Sequence, residues 1–154
     1  MNNAPALSAL ARLKDNPALT DWLDNHFHGR PVLYRYGLMA KPTAQQYPFI
    51  AIAPGAGDGG PQMTGRSQHL SIQVGVQHND ILEHDGLSVC QGQVLVGELL
   101  ELVKEALYTQ PINALFFATW DYSYHEESDA GLGHPYYQGA LEIPITLHFD
   151  QLVE

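Results

Sequence analysis

Apolar positions recur along this chain with two periods, and the changes between them mark the elements. In "PALSALARLK" (5–14), Leu7, Leu10 and Leu13 fall at helical spacing, and Pro5 suits a first turn. Asn16-Pro17 breaks that run. "PALTDWLDNHF" (17–27) predicts a second helix from Leu19, Trp22, Leu23 and Phe27, ending at Gly29. "PVLYRYGL" and "YPFIAIA" read as strands, joined by a turn at "MAKPTAQQ".

"LSIQVGVQ" (70–77) alternates strictly, with Leu70, Ile72, Val74 and Val76 on one side, as a half-buried strand requires. "HNDILEHDGLS" (78–88) reads as a polar connector. From Gln93 to Tyr108 a single stripe of Val96, Leu99, Leu100, Val103, Ala106 and Leu107 predicts the main amphipathic helix, stopped by Gln110-Pro111. "ALFFATWDYSYH" (114–125) is a further strand, and "EESDAGLGHP" (126–135) a second polar, glycine-bearing loop. "YYQGALEIPITLHF" (136–149) turns Leu141, Ile143, Ile145, Leu147 and Phe149 inward. Pro144 cannot donate to a ladder, which places this strand at an edge or gives it a local break. These elements predict one α+β domain over residues 1–154. Its sheet is mainly antiparallel and is packed on one face by the major amphipathic helix together with the N-terminal helices.

Between two of the strands lies "IAIAPGAGDGGPQMTG" (50–65), in which Gly55, Gly57 and Gly60 match G-x-G-x-x-G. A dinucleotide fingerprint needs a helix after the glycine turn, to meet the pyrophosphate with its N-terminus. Here an alternating strand follows instead, and no Gly-Lys-Ser/Thr supplies a Walker motif. The stretch therefore reads as a long, flexible connection between antiparallel strands, with five glycines from Gly55 to Gly65. No cofactor is expected.

Charge narrows the function classes. Seventeen acidic residues against seven basic ones leave a net charge of −10, a field that repels nucleic acid. Sequence-specific DNA or RNA binding is not expected, although an acidic passage would let DNA move through without sticking. No apolar run reaches the roughly 20 residues that span a bilayer. "MNNAPALSALARLK" lacks the cationic start and apolar run of a signal peptide, so cytoplasmic synthesis is expected. The single cysteine, Cys90, excludes an internal disulfide.

Eight histidines raise a metal hypothesis. The densest donor cluster is His125, Glu126, Glu127, Asp129 and His134. His26 and His28, and His78 and His84 with Asp80, Glu83 and Asp85, are sparser. None has the spacing of a zinc or calcium motif, and a solvated acidic loop accounts for the first. Glu126 and Glu127 point to opposite sides of an extended chain, and no G-x-S-x-G elbow is present. Neither catalytic nor metal-ligating residues are assigned, and a non-enzymatic protein is expected. The rival reading is a metal-dependent hydrolase using His125, Glu126, His134 and His78. A third is an acidic binding module that offers a strand edge to a peptide. Tyr122, Tyr124, Tyr136 and Tyr137 flank the second glycine loop. Tyrosines so placed serve cross-strand packing or a surface buried against another chain.

The element order resembles that of small phage tail proteins. It runs from an N-terminal helical lead, through strands at "YPFIAIA" and "LSIQVGVQ" and the helix "VGELLELVKEAL", to a strand and a final "GALEIPITLHF". The nearest group is the tail terminator and tail-completion family, including minor tail proteins of Mu-like phages. The likeness extends from Val32 to Phe149 and rests on element order. It implies a structural virion-assembly protein of a phage or prophage, forming a homohexameric ring that caps the tail tube. Its implied partners are further copies of the chain, the tail tube and head-completion proteins, with no membrane involved. The implied location is the bacterial host cytoplasm during assembly and then the virion tail. A baseplate or other minor tail component is the alternative within that setting. The candidate contacts are Gly55, Gly57, Asp58, Gly59, Gly60 and Met63 in the first glycine loop, and Tyr122, Tyr124, Tyr136 and Tyr137 beside the second.

Overall fold

Asn16 separates two N-terminal helices, α1 (Ala4–Asp15) and α2 (Pro17–Phe27). Its side chain accepts the Leu19 N–H at 2.9 Å, and Pro17, which has no N–H to satisfy, opens α2. α2 ends where His28 and Gly29 adopt φ of 45° and 78°. The structure, a computed structural model, describes residues 4–58, 65–108, 112–113, 117–120 and 124–148.

The elements that follow are β1 (Leu33–Tyr36), β2 (Phe49–Asp58), β3 (Gly65–Gln77), β4 (Ile81–His84), β5 (Leu87–Cys90), α3 (Gln91–Tyr108), β6 (Ile112–Asn113), β7 (Phe117–Trp120), β8 (His125–Ser128) and β9 (Tyr136–His148). Among the described residues, seven strands form one sheet in the order β1-β2-β3-β9-β7-β6, with β8 also paired to β9. All pairs are antiparallel except β1–β2, which is parallel and needs the long crossover 37–48. The fold is α+β.

The core lies between the three helices and one face of the sheet. Leu70, Ile72, Val74 and Val76 of β3 and Leu141, Ile143 and Ile145 of β9 are buried there, as their alternation predicts. The six stripe residues of α3 are buried against them, joined by Leu95. α3 sits unusually close to β9. A Cβ at Gly92 would come within 2.0 Å of the Tyr137 ring, and one at Gly139 within 2.7 Å of Val96, so both positions require glycine. α1 forms as expected but turned: Ala6, Ala9 and Leu13 are buried while Leu7 is exposed. Alanines on that side let the helix approach β1, β2 and α3. Arg12 then reaches the last turn of α3, donating to the Leu107 carbonyl at 3.1 Å.

Four expectations are corrected. Residues 78–88 are not a connector: β4 and β5 form a separate two-stranded hairpin. Its Asp85-Gly86 turn has φ of 51° and 78°, the two positive values that a type I′ turn demands. The first glycine loop is shorter than its composition suggests, because β2 extends to Asp58 and β3 starts at Gly65. Gly55 and Gly57 belong to β2 at an irregularity, where three steps from Pro54 to Gly57 oppose two from Leu70 to Gln68. That is the place of a β-bulge, which glycine accommodates. The second glycine loop begins later, since His125–Ser128 is strand β8. Finally, β9 is central, not an edge. Pro144 opposes His69 of β3, and on the other side it falls between β7, whose pairing stops at Ile145, and β8, whose pairing starts at Glu142. Between those two pairings the chain runs through 121–123, outside the described residues.

Candidate functional site

The face of the sheet away from the helices is polar. Successive residues of a strand point to opposite sides, so burying Leu70, Ile72 and Val74 sends His69, Ser71 and Gln73 outward. In the same way Gln138, Ala140 and Glu142 of β9, and His125 and Glu127 of β8, share this outer face. The crossover 37–48 folds over one part of it. Tyr47, Met39, Phe49 and Ala51 form a small second core, with Tyr136 packed beside it.

Gln73 fastens the crossover to the sheet. Its amide accepts the Met39 N–H and donates to the Met39 carbonyl, both at 2.8 Å, as a neighbouring strand would. It also donates to Gln138 Oε1 at 2.9 Å, and Gln138 donates to the Tyr47 hydroxyl at 3.0 Å. Gln46 closes the 3-10 turn of the crossover by accepting the Thr43 N–H at 2.8 Å. Between this fastened segment and β8 runs an open groove of about 690 Å³. Leu38, Met39 and Ala40 line its crossover side, and Ala140 lies on its floor. The charges that line it are Glu127, Asp129, Glu142 and the imidazole of His125, with no lysine or arginine.

These charges are paired along the strands. His125 Nε2 lies 2.8 Å from Glu127 Oε1, and His69 Nδ1 lies 3.2 Å from Glu142 Oε1. The hydrogen bond and charge of Glu127 raise the His125 imidazole above its ordinary value, with Glu142 adding to the effect. Glu126, one residue along, faces the helices instead. There Lys104 of α3 is buried, 2.5 Å from Glu101 and 3.9 Å from Glu126, with its ammonium 4.0 Å from the Tyr124 ring centre. Burial pulls the Lys104 ammonium down, but its bonds to Glu101 and Tyr124 and the charges of Glu126 and Glu101 carry it above its ordinary value. Glu126 and Glu127 thus point opposite ways, as the extended chain predicts.

This alternation also divides the metal cluster of the hydrolase reading. His125 is on the outer face, Glu126 turns to Lys104, and His134 Nδ1 meets the Tyr137 hydroxyl at 2.5 Å. His78 Nδ1 accepts the Asp80 N–H at 3.2 Å. Among the described residues, no group of three His, Cys, Asp or Glu side chains converges as a metal site.

The candidate contact residues are scattered. Tyr137 is 0% exposed, so it is a core residue and not a contact surface. Burial pushes its phenol up to about 12, with the Cys90 thiol and the charge of Asp129 contributing. Tyr136 points the other way and packs on Tyr47, with ring centres 5.0 Å apart. Tyr124 is exposed beside Lys104. Gly57 and Asp58 pair with Gln68 and Ser67, while Gly55 lies at the irregularity. Gly59, Gly60, Met63 and Tyr122 lie outside the described residues.

Among the described helices and strands, the β4–β5 hairpin exposes the most large aliphatic side chains, and Leu132 in the second glycine loop is 91% exposed. Ile81, Leu82 and Leu87 are 46%, 49% and 63% exposed. The cross-strand pairs Leu82–Val89 and His84–Leu87 share one face, and Ile81–Cys90 and Glu83–Ser88 the other. The first face therefore carries three aliphatic side chains and an imidazole but no carboxylate, in a chain of net charge −10. Reading 78–88 as a connector missed it. The available signal was Asp85-Gly86, a turn pair set between Ile81-Leu82 and Leu87-Val89. Gln73 and Gln138 were also missed, since alternation shows only that they face outward.

No helix among the described residues is long and apolar enough to cross a membrane. Comparison with known proteins finds no family model that matches the chain and no curated protein that does so.

Proposed function

We propose that this chain is a non-enzymatic structural protein of a phage or prophage tail, a tail terminator that works as a homo-oligomeric ring at the end of the tail tube. The observation that carries the reading is the β4–β5 hairpin. A two-stranded ribbon with three large aliphatic side chains in water is marginal by itself, and such exposure suits a surface that another protein covers. The α+β architecture and the helix-backed sheet agree with the resemblance in element order. The net charge of −10 suits a ring through which DNA must pass without adhering.

The test is absolute mass in solution by light scattering, over a concentration series, alone and with purified tail tubes. A closed ring of about six protomers, each of 17.0 kDa, is the expected result. A monomer at every concentration, with no binding to tube ends, overturns the reading.

A further inference from the structure

The groove on the outer face of the sheet has two unlike sides. Leu38, Met39 and Ala40 of the crossover make one side apolar, while Glu127, Asp129 and Glu142 make the other anionic. Its floor dips at Ala140, the smallest of the outward residues Gln138, Ala140 and Glu142 on β9. Ala140 pairs with Glu127 of β8 and with Gln73 of β3, and Glu142 lies two residues along the same strand. Both glutamates therefore border the hollow that this short side chain leaves.

Among the described residues, no lysine or arginine lines this space. Lys104 is held by Glu101 and Glu126 on the helix side, and Lys41, next to Ala40, is not part of the lining. The neighbouring imidazoles engage one oxygen of each glutamate, His125 at Glu127 Oε1 and His69 at Glu142 Oε1. Neither Oε2 meets a donor among the described residues. Asp129 differs, since its two oxygens accept the Gly131 and Gln138 N–H groups and it contributes charge alone.

We propose that this groove is a binding site for an organic cation on an aliphatic stem, a guanidinium or an ammonium. Such a group satisfies both sides at once, with its stem against Leu38 and Met39 and its head at the Glu127 and Glu142 carboxylates. A bare metal ion would leave the apolar side unused, and a purely apolar ligand would cover carboxylates without pairing them. About 690 Å³ suits a small molecule or a few side chains, not a folded domain. Gln73 holds the apolar side ready, because its amide bonds both the N–H and the carbonyl of Met39. The same carboxylates, Glu127 first and Glu142 after it, already favour the charged form of His125. The site does not depend on the ring reading.

The test is NMR titration of the full chain with butylguanidinium and with its neutral isostere butylurea. Butylguanidinium is expected to shift the Met39 and Ala140 amides saturably, at about 1–10 mM, and to bring the His125 imidazole back down. Butylurea is expected to bind about 10-fold more weakly or less. Two variants separate charge from shape, with the amides of α3 reporting that each is folded. Glu127→Gln with Glu142→Gln removes the charge, Ala140→Leu fills the floor, and each should weaken binding by about 10-fold.

Equal binding of the two probes, shifts as large at Glu83 and Asp85 of the hairpin as in the groove, or wild-type affinity in folded Ala140→Leu overturns the site. Any acidic surface would then serve as well. Spermidine and an acetylated leucine-arginine-leucine amide distinguish the source of the cation. Tighter binding of spermidine supports the site with a free polyamine as its ligand, and tighter binding of the peptide supports it with a partner's side chain. None of these outcomes bears on the ring, which light scattering decides.

Discussion

On one face of β3 and β9, Leu70, Ile72, Val74, Leu141 and Ile143 lie under three helices. On the other, Ser71, Gln73, Gln138 and Glu142 face the crossover 37–48, the short strand β8 and the loop at Asp129. The same strands supply both faces, yet the two are held by different forces. The helix side is joined by apolar contact, tight enough that Gly92 and Gly139 cannot carry a Cβ. The outer side is joined by the small apolar cluster of Met39, Tyr47, Phe49 and Ala51 and by amide hydrogen bonds around Gln73, and beside them lies an open groove. The first arrangement sets the fold, and the second borders an open groove whose shape depends on a handful of directional contacts.

Substitutions on the two faces should separate these roles. Leu99→Ala, on the buried side of α3, should lower unfolding stability by about 2–5 kcal/mol in urea titration, because it leaves a cavity. Gln73→Ala should cost less, about 1–3 kcal/mol, since it strips both partners from the Met39 backbone. Its distinctive effect is local: amide exchange should accelerate at Met39 while the amides of α3 keep their protection. Uniform acceleration across both faces would show that the crossover and the core unfold as one unit.

Lys104→Met should cost little, about 1 kcal/mol or less, because the buried stem stays apolar and Glu101 is free to turn to water, while Glu126 and the Tyr124 ring lose their cation. The smallest effect belongs to the outer strip. His125 should titrate above the ordinary imidazole value by NMR, and Glu127→Gln should bring it back down. A raised folded-state value means that the pair adds stability below the unfolded imidazole value. That contribution is lost as pH rises through the folded value.

The two faces were not equally legible in the sequence. Burial follows period, so α3, β3 and the inward side of β9 could be read from Leu99, Ile72 or Ile143 alone. Alternation says nothing about which polar side chains meet, and Gln73 finds Met39 across 34 positions of chain. The turned face of α1 escaped for a related reason. Ala6 and Ala9 read as bland beside Leu7 and Leu10, but close packing against a sheet favours the smaller side chains. The hairpin was hidden by its charged residues, although Asp85-Gly86 announced the turn. Pro144 misled, because a proline in a strand suggests an edge and this one lies in the central strand, opposite His69.

The strands at the rims of the sheet have a further consequence. Among the described residues, β1, β6 and β8 have four, two and four residues, while β2 and β9, which β1 and β8 flank, have ten and thirteen. Short rims offer little template for another chain to add backbone to backbone, and β8 sets His125, Glu126 and Glu127 along its length as a further deterrent. Amyloid-like stacking is thereby disfavoured, even in a crowded assembly where many copies collect at one place. At these rims, contact with another chain falls to side chains, which can carry an address that bare backbone cannot.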